Sequence, residues 1–462
     1  MIPLHFLLPF IVFITIFTVL AVDKYAGEFY IFLLFTITSN LLLYFGFRKN
    51  AIFFDTFIGV FLWLGFWLKA TVRIVFLDSK FSEGFRGVII SGETFDNALF
   101  MSSIAFLALI IASYVRERFI FKYPDTKEEE TSALYLFYID HRKKILLAYT
   151  FLFLFVALSN FYLDIYQRGG ITHTVLPFGL NGIYKWLLLF GLSSFAALIL
   201  KYEFSLQRKV TYFVPVLTLI EACITNISLL SRGMILNTSA LGFGMIKNIK
   251  INRIKTNKKF FLIIVITFVV LFLGSVVLVN NLRNNTNTIT SININQSTNG
   301  IKILFLDRWV GIEGMLAVSM SSRRGWSLLQ EAANEKYDEH KTSFYDLNLI
   351  NSPYLNTDMS KHHHISLPGF IAFFYYSGSI IFLFAVLLSL GLLASLIELA
   401  SYRLSANNII FAALIAQVIA YRYTHFGYVP AQSYLLFGSI FLNIFIIYGA
   451  NKVLSLWYKQ DG

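Results

Sequence analysis

Apolar runs of roughly 17–25 residues, the length a helix needs to cross a hydrocarbon layer, recur along nearly the whole of this chain. The runs read as spans, a few of them shorter or longer than that, are Leu4–Val22, Tyr30–Phe47, Ala51–Lys69, Ala98–Val115, Ile145–Leu163, Tyr184–Leu200, Thr211–Leu230, Gly233–Ile246, Phe260–Val279, Gly369–Ala400, Ile409–Tyr421 and Tyr434–Ala450. That layout, about twelve spans, predicts an all-α polytopic integral membrane protein. With 57% hydrophobic and 14% charged residues, no stretch has the balance of an independent soluble domain. Gly233–Ile246 is short and holds Asn237, Thr238 and Ser239, whereas Gly369–Ala400 is long enough to tilt strongly or to begin as an interfacial segment. No Lys or Arg precedes the first run, so a retained helix is expected there rather than a cleaved leader.

Charge orients the spans. Arg48-Lys49, the segment from Arg116 to Lys144, Lys201 to Lys209 and Lys247 to Lys259 are cation-rich and alternate with cation-poor loops. The positive-inside rule therefore predicts that the first set, and with it both termini, faces the cytoplasm. The formal charge of +12 is explained by this orientation, and no nucleic-acid partner is expected. A single cysteine, Cys223, excludes a disulfide framework and a thiolate metal site built from this chain. Three segments follow: helices over 1–279, a large outer loop over 280–368, and helices over 369–462.

The outer loop is where polar chemistry concentrates. It begins with an Asn/Thr/Ser-rich stretch, Asn280–Asn299. Next, Ile301–Asn334 places Leu304, Phe305, Trp309, Ile312, Leu316 and Met320 at helical spacing, predicting an amphipathic helix on the outer membrane surface. The loop carries Asp307-Arg308, Glu313, the pair Arg323-Arg324 and the triplet His362-His363-His364. Three consecutive histidines cannot all face one ion from a regular helix or strand, so no metal is expected there. One of them, His364 first and His363 second, could act as a general base. Elsewhere, Glu221, Arg232, Arg422 and His425 are ionisable groups within or at the edge of apolar runs, a placement that favours function. A snorkelling arginine at Arg232 and an interhelical hydrogen bond at Glu221 are the plainer alternatives. Arg168 sits in another outer loop, in Arg168-Gly169-Gly170. Arginines gathered at one membrane face suit a phosphate- or pyrophosphate-bearing substrate whose other half is lipid. No Gly-x4-Gly-Lys-Ser/Thr loop or Asp-x-Asp motif stands on the cytoplasmic segments to hold a nucleotide.

The layout with its late outer loop, together with Leu230-Ser231-Arg232-Gly233, Leu306-Asp307-Arg308 running to Glu313-Gly314, His364 before Leu367-Pro368-Gly369, and Arg422, resembles the Wzy-type polymerases of O-antigen, enterobacterial common antigen and capsule repeat units, relatives of the O-antigen ligases. The long-spaced arginine and histidine patterns described for some members have no clear copy here. The resemblance implies a GT-C-like glycosyltransferase of the bacterial inner membrane, acting without a cofactor. It would move a glycan from undecaprenyl pyrophosphate to the non-reducing end of another lipid-linked repeat unit, with a chain-length regulator as a possible partner. Arg232, Arg308 and Arg422, with Arg323 and Arg168, would bind pyrophosphate, and His364, His363 or Glu313 would take the proton. Loop aromatics Trp309, Trp326, Tyr337, Tyr345 and Tyr354 would be available to stack on sugars. A transporter or flippase of a lipid-linked or sugar substrate, and an O-antigen ligase, are the competing expectations.

Overall fold

The computed structural model describes residues 4–81, 84–85, 91–124, 132–168, 174–207, 211–231, 233–286, 308–338, 341–356 and 365–460. Helices dominate: α1 Leu4–Lys24, α2 Phe29–Phe47, α3 Phe53–Phe76, α4 Gly92–Phe119, α5 Ala133–Leu163, α6 Pro177–Leu206, α7 Phe213–Ser228, α8 Met234–Ile251, α9 Lys258–Thr286, α10 Ile312–Met320, α11 Trp326–Ala333, α12 Phe344–Asn348, α13 Phe370–Tyr375, α14 Ile380–Leu404, α15 Ile409–Thr424 and α16 Ser433–Gln460. One short antiparallel ladder pairs β1 (Gly84–Phe85) with β2 (Ile350–Asn351). Among the described residues, eight helices are long and apolar enough to cross a membrane, and α7 and α15 are shorter apolar helices. Leu262, Val265, Ile266, Val269, Val270 and Leu273 of α9 are all exposed, an apolar face that suits lipid rather than water. The chain is a multi-pass helical membrane protein.

Contacts divide the chain into two units that cut across the three sequential segments. The first comprises Met1–Tyr123, Ile294–Leu396 and Ile419–Tyr434; the second comprises Pro124–Asn293, Ile397–Val418 and Leu435–Gly462. The described part of the outer loop from residue 308 onward thus groups with the first four helices instead of standing alone.

In the first unit, α4 runs 28 residues between two polar ends. Near its C-terminus, Arg116 is buried against Asp55 and donates to the Asn50 carbonyl at 2.9 Å, while Arg48 pairs with Glu117 at 2.9 Å. Asp55 lies in the first turn of α3 and accepts from the Ile52 N–H, so it caps that helix as well as pairing with the cation. Near the N-terminus of α4, Asp96 accepts from the Tyr25 hydroxyl at 2.8 Å and from the Glu28 N–H at 3.0 Å, closing the α1–α2 turn.

The expected span Ala51–Lys69 continues to Phe76, because Lys69 and Arg73 are buried and their charges do not end the helix. Midway along α3, residues Trp63–Leu68 form a π turn, tethered to α2 by Trp63 Nε1 to Asn40 Oδ1 (3.0 Å) and Trp67 Nε1 to Thr36 Oγ1 (3.1 Å). The expected single amphipathic helix over Ile301–Asn334 is not formed among its described residues. They fold as α10 and α11 separated by a turn, and Ile312, Met315, Leu316 and Val318 of α10 are fully buried against α4 and α13 instead of lying on lipid. The long run Gly369–Ala400 is likewise broken: α13 ends, Gly378 turns the chain at φ +71°, and α14 follows.

In the second unit, buried polar side chains join the helices. Glu203 of α6 accepts from the Tyr138 hydroxyl at 2.8 Å and pairs with Arg142, both on α5. Asn160 of α5 donates to the Ser228 carbonyl at 3.1 Å and to the Tyr166 carbonyl at 3.0 Å, fixing the turn that leads to Arg168. Asn408 caps α15, its Oδ1 accepting from the N–H groups of Ile410 and Phe411 at 3.0 Å each.

Candidate functional site

Gly65 occupies the π turn of α3, about 18 Å along a helix that rises 1.5 Å per residue, and the backbone of Val310 and Gly311 presses against it there. A Cβ on Gly65 would stand 2.3 Å from the Val310 oxygen, and one on Gly311 would stand 2.2 Å from the Gly65 oxygen. Only two glycines face to face permit that approach. The segment after Arg308 therefore enters the bundle of the first unit to the middle of a 24-residue span before α10 begins. Gly314 continues the contact, since a Cβ there would meet the Pro368 oxygen at 2.1 Å. Pro368 in turn precedes Gly369, whose N–H donates to the Phe426 carbonyl at 3.1 Å. Irregular backbone at such depth is tolerated only where protein covers it or a polar cavity adjoins it, which makes the place a functional candidate.

Two ionised side chains sit at this junction. Lys69, 1% exposed, pairs with Glu313 on the first turn of α10 and donates to the Trp309 carbonyl at 3.2 Å. The pair neutralises two charges that burial would otherwise penalise, and it pins the turn 308–311 onto α3. Glu313, expected as a possible proton acceptor, has its carboxylate engaged in this pair.

An aromatic wall adjoins the pair. Trp309 stacks on Phe61 with ring centres 5.6 Å apart, Phe61 meets the edge of Tyr421 at 6.2 Å, and His425 stacks on Tyr421 at 3.9 Å. Arg308 precedes Trp309 and Arg422 follows Tyr421, so the fold brings both to the neighbourhood of Phe61. The Arg422 guanidinium donates to Ser433 Oγ at 3.0 Å and lies over the Phe426 ring at 5.7 Å. Its Nε is buried without a hydrogen-bond partner, and no carboxylate pairs with it among the described residues. His425 keeps Nδ1 against the Tyr421 carbonyl at 3.1 Å and Thr424 Oγ1 at 3.0 Å.

Other expected residues fall elsewhere. Arg323 is an exposed surface group, paired with Glu331 at 2.7 Å and with Asn348 at 3.0 Å. Its neighbour Arg324 is the one that turns inward, donating to the Tyr375 hydroxyl at 3.1 Å, which donates to Asn97 Oδ1 at 2.8 Å. Arg168 belongs to the second unit, its N–H bound to the Leu229 carbonyl at 3.0 Å and its guanidinium 3.3 Å from where a Cβ on Gly233 would stand. Arg232, His363 and His364 lie outside the described residues. Among the aromatics, Trp326 and Tyr337 are exposed, while Tyr345 is fully buried and cannot stack on a ligand. Lys69, Tyr375 and Asn97 were not singled out from sequence, and Arg324 was named only as one of the pair with Arg323. The lysine within an apolar run was the one signal that could have pointed to Lys69. No protein family, curated protein or solved structure matches the chain.

Proposed function

We propose that the chain polymerises undecaprenyl-pyrophosphate-linked oligosaccharide repeat units at the outer face of the bacterial cytoplasmic membrane, with a GT-C-like architecture of about twelve spans and both termini cytoplasmic. The observation that carries this reading is Arg422, a largely buried guanidinium with an orphan Nε and no acid beside it among the described residues. Such a group is expensive to bury unless an anion completes it. A pyrophosphate joining sugar to isoprenoid is an anion that reaches this depth from the lipid side. Arg308 directly precedes Trp309, whose ring stacks on Phe61; Arg232, also expected to bind pyrophosphate in this clamp, lies outside the described residues.

The acceptor hydroxyl attacks the anomeric carbon of the donor glycan, the carbon–oxygen bond to the pyrophosphate breaks, and the lipid pyrophosphate leaves with the electron pair. Arginine stabilises the charge that grows on it. His364 or His363 takes the hydroxyl proton, while Glu313 holds Lys69 and thereby the Arg308 turn in place. A protein that regulates chain length is the partner to seek.

A transporter or flippase is favoured by one observation, the broken helices α10 and α13 inside the bundle, since discontinuous helices frame substrate sites in carriers. An O-antigen ligase would use nearly the same groups. Deleting the gene and analysing the glycans separates the three. Single repeat units on the lipid A core or carrier with long chains missing support the polymerase. Long chains retained on the carrier indicate the ligase, and repeat units trapped in the inner leaflet indicate the flippase.

A further inference from the structure

In the first unit, beyond the end of α11, an open cleft of about 740 Å³ is lined by Glu335, Lys336, Tyr337, Asp338, Lys341 and Tyr428, among others. This is within the range of about 300–1,000 Å³ typical of small-molecule sites. Its frame is held firmly. Glu335 accepts from the Phe344 N–H with one carboxylate oxygen and from the Val429 N–H at 2.9 Å with the other, so one side chain joins the two loops that form the walls. Beneath it, Asp346 is fully buried and accepts from Thr342 Oγ1 at 2.6 Å, Ser343 Oγ at 2.7 Å and the Ser366 N–H at 2.9 Å.

The lining chemistry differs from that around Arg422. Among the described residues that line it, two carboxylates, Glu335 and Asp338, are matched by two ammonium groups, Lys336 and Lys341, with no arginine among them. Lys341 and Asp338 pair at 3.0 Å, the lysine side chain 70% exposed and the aspartate 38%, so this ion pair adds little to stability. Tyr337 and Tyr428 meet edge to face, ring centres 6.4 Å apart, and Tyr337 is 53% exposed. Burial, with Tyr337, Glu335 and Asp338 nearby, pushes the Tyr428 phenol well above its usual range, so its hydroxyl stays a donor. Aromatic faces for sugar C–H patches, carboxylates that accept from hydroxyls and ammonium groups that donate to them are what an uncharged glycan requires.

We infer that this cleft is a glycan-binding subsite, occupied by sugars of a repeat unit whose charged pyrophosphate lies elsewhere. Its assignment to the acceptor glycan rests on the polymerase reading; sugar binding by the cleft does not. The probe is the delipidated repeat-unit oligosaccharide, released by mild acid from the lipid-linked material of the source cells, and binding to the purified full chain in detergent is followed by saturation-transfer NMR. Saturable binding is expected, weakened at least tenfold by Tyr337→Ala and by Tyr428→Ala, retained in Tyr337→Phe, and retained in Arg422→Ala. Unchanged binding in both alanine variants, or none in the wild type, overturns the subsite. Loss in Arg422→Ala with normal binding in the tyrosine variants also overturns it and places the sugar at the arginine. Normal long chains in cells carrying Tyr337→Ala would overturn the acceptor assignment and leave the polymerase standing. A deletion strain that still makes long chains removes the polymerase whatever the cleft binds.

Discussion

Arg422 and Lys69 are both cations drawn into the first unit, yet they stand in opposite electrostatic situations. Lys69 has its anion in Glu313, whereas Arg422 has only Ser433 and the Phe426 ring. Removing Lys69 breaks a buried ion pair, so Lys69→Ala should cost about 3–5 kcal/mol of stability. The double variant Lys69→Met/Glu313→Leu should recover most of that loss, and the thermal midpoint of the detergent-solubilised protein measures both. Removing Arg422 strands no partner charge, so Arg422→Ala should express normally while polymer falls by about 10²–10³, the cost of losing one charge-stabilising donor. Gel analysis of the glycan at matched protein level reads this, and full-length polymer there would sink the clamp. At Glu335, burial raises the carboxyl above its usual range against the pull of the Val429 and Phe344 N–H groups, with Asp346 adding to the rise. The folded state then holds the proton more tightly than the unfolded one, so this group's stabilisation is complete below the ordinary carboxylate pKa and is lost as pH rises through the elevated one. Glu335→Gln should flatten that acid-side slope in a melting series. Sequence flagged Arg422 as an ionisable group at the edge of an apolar run and Glu313 as a possible proton acceptor, but it could not pair Glu313 with a lysine 244 positions away.

Length and composition of an apolar run are local properties, which is why each predicted span falls on a helix. Where those helices end is a tertiary property. α3 passes Lys69 because its charge finds a partner, and Gly369–Ala400 breaks at Gly378 because the chain must turn under Arg324. The stripe Ile312–Met320 reads the same whether it faces lipid or a protein core, so its burial was not legible from its spacing. What admits it is the glycine pair, and here the two kinds of glycine separate cleanly. Gly65→Ala and Gly311→Ala would each drive a Cβ into main-chain oxygen, at or above the upper end of the about 1–3 kcal/mol typical of overpacking. Gly274 in α9 has nothing within 4 Å, and Gly274→Ala should be neutral or should stabilise by up to about 0.5–1 kcal/mol through helix propensity. A melting comparison that ranked these three alike would show that the turn at residues 308–311 does not enter α3 as described.

Across the whole chain, the cation alternation and the structure bear on sidedness independently within the first unit. Arg48 is held at the C-terminal end of α4 through Ser113 and Glu117, whereas Arg324 reaches the N-terminal end through Tyr375 and Asn97. Asn97 and Glu117 stand 20 residues apart on α4 (117 − 97), about 30 Å of helix, enough to match a hydrocarbon core of roughly 30 Å. The turn after α2 and the start of α11 therefore belong to opposite faces if α4 crosses. The single cysteine makes this directly measurable, since Cys223 is buried and Cys223→Ser gives a background without thiols. In that background Ser327→Cys, on the exposed face of α11, should react with a membrane-impermeant maleimide on intact spheroplasts, and Lys49→Cys should react only after permeabilisation. Labelling of Lys49→Cys from outside would reverse the orientation, put the start of α11 on the cytoplasmic side and count against the proposed function. Equal labelling of both from outside would mean that α4 does not span, and the depth inferred for Gly311 would go with it.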